Sequence, residues 1–356
     1  MPITLDGLRR LAVSQSLFAP TTLKRALQTF GFVQADPIRS PARAQDLILR
    51  HRVKNYRAGD LERQYEKLDI HEDFFINYGF VTSAVQKLMH PRANNCVAGV
   101  NGKRAKLILE FIRERGSVHP REVNEHFSHG KATNYWGGSS NATTHLLDAL
   151  HYQGLLRVVR RKGGIRIYAA HQHEPGPTDK ELGRVNVDAL ADIAIRIYAP
   201  LPNKTLGFVI RRLHLAVPQW GKELDGALRR AKERLTHARI DGVDWYWPDG
   251  KLNFDPIDTV RLLAPFDPIV WDRTRFELLW KWAYRFEAYT PIPKRKLGYY
   301  ALPLLWRDHV IGWANLSVKN GKLKSEFGYV NSPPTDRVFK RELDAELTGI
   351  QAFLGL

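Results

Sequence analysis

The sequence predicts an α+β protein: tandem winged-helix domains followed by a C-terminal β-rich domain shaped as a half barrel. Three observations carry this. Short runs of helical apolar spacing fill the chain up to about residue 258, with strand-like segments between them. One such group of three helices runs directly into two alternating strands around Lys162-Gly163-Gly164, the order of a winged helix. Beyond residue 259 the pattern becomes strand-rich, and Asn320-Gly321 is a strong hairpin signal.

Taken in order, Leu5, Leu8, Leu11 and Ala12 recur at helical spacing. A second helix starts near Thr21-Thr22 and stops at Gly31. FVQADPIRSPAR follows, then a helix expected from Pro41 to about Val53, with Ser40 as its cap. Asp60 to Lys67 reads as a short helix and residues 70–82 as β-prone, which completes a domain over 1–100. In 101–176, helices at 102–115, 120–127 and 141–153 precede the strands 155–160 and 165–170. Residues 177–258 repeat the scheme, with helices at 180–198, 205–213 and 222–237 and a wing in ARIDGVDWYWPDGKLNFD. The last domain, 259–356, holds strands, a hairpin expected to contact nucleic acid, and a closing amphipathic helix from Arg337.

Composition narrows the function. Of the 356 residues, 54 are Lys or Arg and 37 are Asp or Glu, a formal net charge of +17. That excess makes a polyanion the expected partner. Nucleic acid is favoured over membrane, since no long apolar span or basic amphipathic anchor occurs. With Cys96 as the single cysteine there is no internal disulfide and no thiolate metal cluster. The N-terminal segment lacks a signal-peptide core, so a cytoplasmic location is expected. No P-loop, dinucleotide fingerprint, HExxH or Gly-x-Ser-x-Gly is present, and the 13 histidines are scattered, so neither cofactor nor metal is expected.

The candidate chemistry lies in Phe32–Tyr56. Pro37 biases Asp36 towards an extended backbone. Gln34 and Asp36 then share one face and Val33 and Ala35 the other. Arg39, Arg43, Arg50 and Arg52 follow and are expected to meet DNA. The plainer reading is that Asp36 only caps the turn at Pro37. Arg160, Arg161 and Lys162 on the second wing, and Lys294, Arg295 and Lys296 in a basic turn, are further candidate DNA contacts. YWGGSSN at 135–141 either cradles a phosphate or supplies an ordinary helix cap. Trp245-Tyr246-Trp247 either stacks on bases or fills an interface.

FVQADPIRSPAR, the NYW loop before the RRKGG wing, LLAPFDPIVWDR and YRFEAYTPIPKRKLGYYALPLL occur in one order. In that order they resemble the bacterial winged-helix DNA glycosylases, the AlkZ/YcaQ family, over nearly the whole chain. Gln34-Ala35-Asp36 resembles the Gln-x-Asp form of the YcaQ (AlkX) branch rather than the Gln-x-Gln of AlkZ, and Asn55 and Tyr56 fall at family-like spacing. FFINYGF departs from that branch, which carries a histidine and a glutamate there.

The resemblance implies a monofunctional DNA glycosylase. It would hydrolyse the N-glycosidic bond of cationic alkylated purines such as N7-alkylguanine and unhook interstrand crosslinks. Catalysis would rest on Gln34 and Asp36, and a β-hairpin would enter the minor groove. The Lys294–Lys296, Trp306–Val310 and Lys319–Lys324 turns are its candidates. A monomer acting on damaged double-stranded DNA is expected. The rival expectation is a non-enzymatic winged-helix regulator, which would bind DNA without releasing base.

Overall fold

The structure, a computed structural model, describes residues 3–92, 102–127, 131–133, 139–171, 180–250 and 258–356. The chain opens with α1 (Leu5–Ser16), α2 (Leu23–Phe30), β1 (Phe32–Gln34), α3 (Ala44–Leu49) and α4 (Asp60–Gln64). Next come β2 (Ile70–Phe74), β3 (Tyr78–Thr82), α5 (Ser83–Met89), α6 (Lys103–Arg115) and α7 (Pro120–Phe127). β4 (Lys131–Thr133), β5 (Ser139–Asn141), α8 (Ala142–Tyr152), β6 (Leu156–Lys162) and β7 (Ile165–Ala170) follow. Then α9 (Lys180–Tyr198), β8 (Leu201–Pro202), α10 (Asn203–Arg212), α11 (Leu224–Arg234), β9 (Thr236–Ile240) and β10 (Val243–Trp247). The chain closes with β11 (Val260–Leu262), α12 (Arg273–Trp280), β12 (Leu302–Trp306), β13 (His309–Lys319), β14 (Lys322–Tyr329) and α13 (Arg337–Leu354). The fold class is α+β, as read from the sequence.

Local chemistry sets several boundaries. Thr4 and Thr22 accept the N–H of Gly7 and Arg25 and so cap α1 and α2. Gly31 ends α2 in the left-handed region, at φ 74°. The helix expected from Pro41 is shorter than its sequence suggests. Ser40 does not cap it; the Ser40 N–H turns back to the Ala42 carbonyl at 3.2 Å, and Arg43 occupies the cap position in extended conformation.

The described residues form two compact units that interleave along the chain. One comprises Met1–Leu61, Ala191–Ile210 and Leu228–Leu356; the other comprises Glu62–Leu190 and Arg211–Ala227. Compactness therefore does not follow chain order.

In the second unit, α6, α7 and α8 pack with the β6–β7 hairpin around Ile108, Ile112, Val123, Leu147, Leu150, Val158 and Tyr168. A bridge from Val118 to Tyr168 ties the turn before α7 to the hairpin, which gives a winged-helix arrangement. Gly163 and Gly164 turn the wing with φ of 59° and 87°. β2 and β3 form another antiparallel hairpin, Ile70 opposite Thr82. Its buried Asp73 meets Arg92 at 2.9 Å and His90 at 2.8 Å. Burial opposes ionisation of Asp73, but the neighbouring Arg92 and His90 outweigh it and hold the carboxyl far below its ordinary range.

In the first unit, β8, β10 and β9 form one small sheet. Trp245 and Trp247 on β10 are 1% and 4% exposed, so they belong to the core and are not free to stack on bases. β11, β12, β13 and β14 form an antiparallel sheet in that order. The β13–β14 turn is Asn320-Gly321, both at positive φ. Of YWGGSSN at 135–141, expected either to cradle a phosphate or to cap a helix, residues 135–138 lie outside the described residues, and Ser139–Asn141 form β5 immediately before α8.

Candidate active site

β1 ends at Gln34, which is buried, and two residues further on Asp36 is half-buried. Asp36 Oδ1 accepts the N–H of Ile38 at 2.9 Å, the turn-capping bond that Pro37 favours. The Asp36 N–H donates to Gln45 Oε1 at 3.4 Å. Turn capping and chemistry are thus compatible, because the turn engages only one carboxylate oxygen. Burial raises the Asp36 pKa above the ordinary carboxylate value, and the Ile38 N–H only partly offsets it. A partly desolvated carboxylate whose second oxygen the turn does not use is suited to accepting a proton from water and to stabilising a neighbouring cation.

The support beneath this turn is ionic and buried. Gln45 lies in the first turn of α3, and the chain just past α3 carries Arg50, His51 and Arg52. Arg52 is fully buried and grips Asp267 through two bonds of 2.8 and 3.0 Å, while also donating to the carbonyls of Ser16 and Ile48. Asp267 belongs to the PFDP segment, whose next turn caps α12 through Asp272. Arg50 is paired with Glu346 of α13, and Glu346 also accepts the Leu262 N–H at 2.7 Å. His51 meets the Leu262 carbonyl at 3.0 Å; burial, helped by Arg50, holds its pKa well below the ordinary value. Asp46 accepts the Tyr56 hydroxyl at 2.8 Å and the Gly59 N–H at 3.0 Å, so Tyr56 is a strut of this scaffold, while Asn55 turns the chain at φ 53° and is exposed.

A loop from residue 287 to 300 shares the electrostatic environment of Asp36. Burial raises the pKa of both Tyr289 and Tyr300, and for both the Asp36 carboxylate is the next cause. Glu287 anchors the loop by accepting the N–H groups of Lys296, Leu297 and Gly298 at 2.9, 2.7 and 3.3 Å. Burial pushes its carboxyl up, yet these bonds outweigh that and hold it below the ordinary value. Gly298 sits at φ 111°, and a Cβ there would lie 2.4 Å from the Asn315 amide, so the loop requires glycine. Tyr289 and Ile292 at the loop's edge are 79% and 76% exposed. Sequence reasoning assigned no role to Glu287, Tyr289 or Tyr300; the only signal was their place in the YRFEAYTPIPKRKLGYY run.

The cations expected to meet DNA divide into two groups. Arg43 is buried at the cap of α3, Arg50 is buried against Glu346, and Arg52 is sealed against Asp267. These three are corrected to scaffold positions: Arg43 by its burial, and Arg50 and Arg52 because a cation already neutralised inside the protein has no field left for a phosphate. Arg161 is likewise bound to Glu72, with its side chain 15% exposed. Arg39, Lys162, Lys294 and Lys296 are exposed, and Arg160 is outward with Glu66 3.8 Å away. Arg295 braces its own loop, donating to the Thr290 carbonyl at 2.8 Å and lying over the Tyr299 ring.

Of the three turns expected to enter DNA, Trp306–Val310 is held inward. Asp308 binds Arg10 at 3.0 Å, and the Trp280 indole donates to the Asp308 carbonyl at 2.9 Å. The β13–β14 tip instead exposes Lys319, Lys322 and Lys324.

A family model for AlkZ-like DNA glycosylases matches residues 27–353, and the chain belongs to that family. It is a DNA glycosylase, a hydrolase acting on N-glycosyl bonds. Among solved structures, Streptomyces sahachiroi DNA glycosylase AlkZ shares the fold with a TM-score of 0.63 and 13% sequence identity, over 100% of this chain and 98% of that one. Among the described residues no helix is long and apolar enough to cross a membrane.

Proposed function

We propose that this glycosylase releases cationic alkylated purines, N7-alkylguanine above all, from double-stranded DNA, and that it unhooks crosslinks built on such bases. The observation that carries the reading is the half-buried Asp36 carboxylate, fixed by Ile38 on one oxygen and raised in pKa by burial. An N7-alkylated purine already bears the positive charge that a general acid would otherwise supply. What remains is to deliver water and to stabilise the sugar as it becomes an oxocarbenium-like cation.

Asp36 serves both needs. Its carboxylate takes the proton of the attacking water. At about 4 Å from a unit positive charge it also supplies up to about 4 kcal/mol at an effective dielectric near 20. Gln34, two residues before, orients the water or the carboxylate. With water as the nucleophile and a base that leaves without a general acid, the reaction proposed is that of a monofunctional glycosylase working without a cofactor. The exposed Arg39, Lys294 and Lys296, together with the lysines of the β13–β14 tip, supply phosphate contacts in the unit that holds Asp36. Arg160 and Lys162 supply them on the wing of the other unit.

The test is incubation with duplexes carrying N7-methylguanine or a nitrogen-mustard crosslink, followed by assay for free base and alkali-labile sites. Wild-type protein releases base and Asp36→Asn does not. DNA binding with no base released by the wild type would favour a regulator that kept the scaffold.

A further inference from the structure

A single side chain ties the Asp36 turn to the rest of its unit by hydrogen bonding. From Ala35 to Arg39 the described residues make two hydrogen bonds. One, from the Ile38 N–H to the Asp36 carboxylate, lies within the turn and holds it to nothing else. The other, from the Asp36 N–H to Gln45 Oε1 at 3.4 Å, crosses to α3. A peptide N–H needs an acceptor, so this bond fixes which end of the Gln45 amide meets the turn. Gln45 is 1% exposed in a helix whose residues are all buried. The bond to Asp36 is the one hydrogen bond its side chain makes among the described residues. An apolar side chain of that size would fill the same space without burying an amide. Asp46, the other polar residue of α3, is used elsewhere, by Tyr56 and Gly59. The helix is itself a firm base, because Arg50 and Arg52 just past its end are held by Glu346 and Asp267.

We propose that Gln45 is a positioning residue for base release, holding the Asp36 peptide at the depth where its carboxylate can meet the attacking water. The inference rests on the role proposed above for Asp36. Gln45 acts through the backbone N–H of Asp36 and not on the reacting atoms. Its carbonyl oxygen draws that N–H towards α3, and the Ile38 N–H then orients the carboxylate on the peptide so placed. The bond is at the long end of the hydrogen-bond range, which leaves the turn room to tighten against DNA. Without the oxygen, the turn keeps no hydrogen bond to its unit, and the carboxylate moves out towards water. There it is better hydrated, a weaker base, and misplaced for the attack.

Gln45→Met, Gln45→Glu and Asp36→Asn, made in the full chain, separate the possibilities on a duplex containing N7-methylguanine. Methionine keeps the volume and removes the acceptor; glutamate keeps an acceptor oxygen at the same reach. Single-turnover base release across pH, DNA affinity and Tm are measured for each. Gln45→Met is expected to lower the plateau rate about tenfold with unchanged DNA affinity. Its acid-side midpoint is expected to fall towards that of an ordinary aspartate, a shift that a loss of packing alone would not produce. Gln45→Glu is expected to recover most of the plateau rate. Wild-type rate and midpoint in Gln45→Met, with Asp36→Asn inactive, overturn this inference and leave the Asp36 role standing. A Gln45→Glu variant as slow as Gln45→Met, or a Gln45→Met loss that tracks a lower Tm with an unmoved midpoint, overturns it in favour of packing. Wild-type rate in Asp36→Asn overturns the Asp36 role and this inference with it.

Discussion

Position 36 combines two demands that usually conflict. A fully exposed carboxylate would be a weak base, and a fully buried one would be protonated or paired. Pro37 and the Ile38 N–H fix Asp36 between those limits. The sign of the pKa shift gives a stability prediction. A carboxyl raised above its unfolded value stabilises the native state at low pH, and that contribution is lost as pH rises through the folded pKa. At neutral pH the ionised Asp36 is therefore a liability to folding, and Asp36→Asn is expected to melt no lower than wild type. The same variant should lose about 10²- to 10⁴-fold in base release while binding DNA normally. Thermal melts and single-turnover assays check the two halves separately, and a large drop in Tm would show a structural role instead.

The elements show what the sequence revealed and what it hid. Pro37 announced the turn that the Asp36–Ile38 bond closes, and Asn320-Gly321 announced the β13–β14 hairpin. The wing on β6–β7 was legible because alternation and a Gly-Gly turn are local signals. Arg50 and Arg52 were misread as DNA contacts because charge is visible in sequence while a partner 296 or 215 residues away is not. Trp245 and Trp247 carried the same ambiguity, which their burial resolves. The buried Arg52–Asp267 pair yields its own prediction. Asp267→Ala strands a guanidinium in the core and should destabilise the first unit by about 3–5 kcal/mol. Urea unfolding measures this, and a loss within error of zero would show that Arg52 finds another partner.

At the scale of the molecule, the net charge of +17 suits the DNA substrate of the family, and burial separates the cations that are already paired from those left exposed. Those held by Glu346, Asp267 and Glu72 are neutralised internally. The exposed lysines remain for phosphate. Replacing Lys294 and Lys296 together by alanine should weaken binding to all sequences alike and flatten the log–log salt slope by about 0.9 for each phosphate no longer neutralised. An unchanged slope would remove that loop from the DNA interface. Acid exposes a different limit in the second unit. The Asp73 pKa is depressed, so its stabilising contribution is complete above the unfolded value near 4 and is lost as pH falls further.

The central claim, that an ionised Asp36 drives base release, is tested most directly by the pH dependence of the single-turnover rate on N7-methylguanine DNA. The rate should fall on the acidic side through a single protonation whose midpoint lies above that of an ordinary aspartate, and Asp36→Asn should be slow and flat across the same range. A wild-type acidic limb that persists unchanged in Asp36→Asn, at comparable rate, would contradict it.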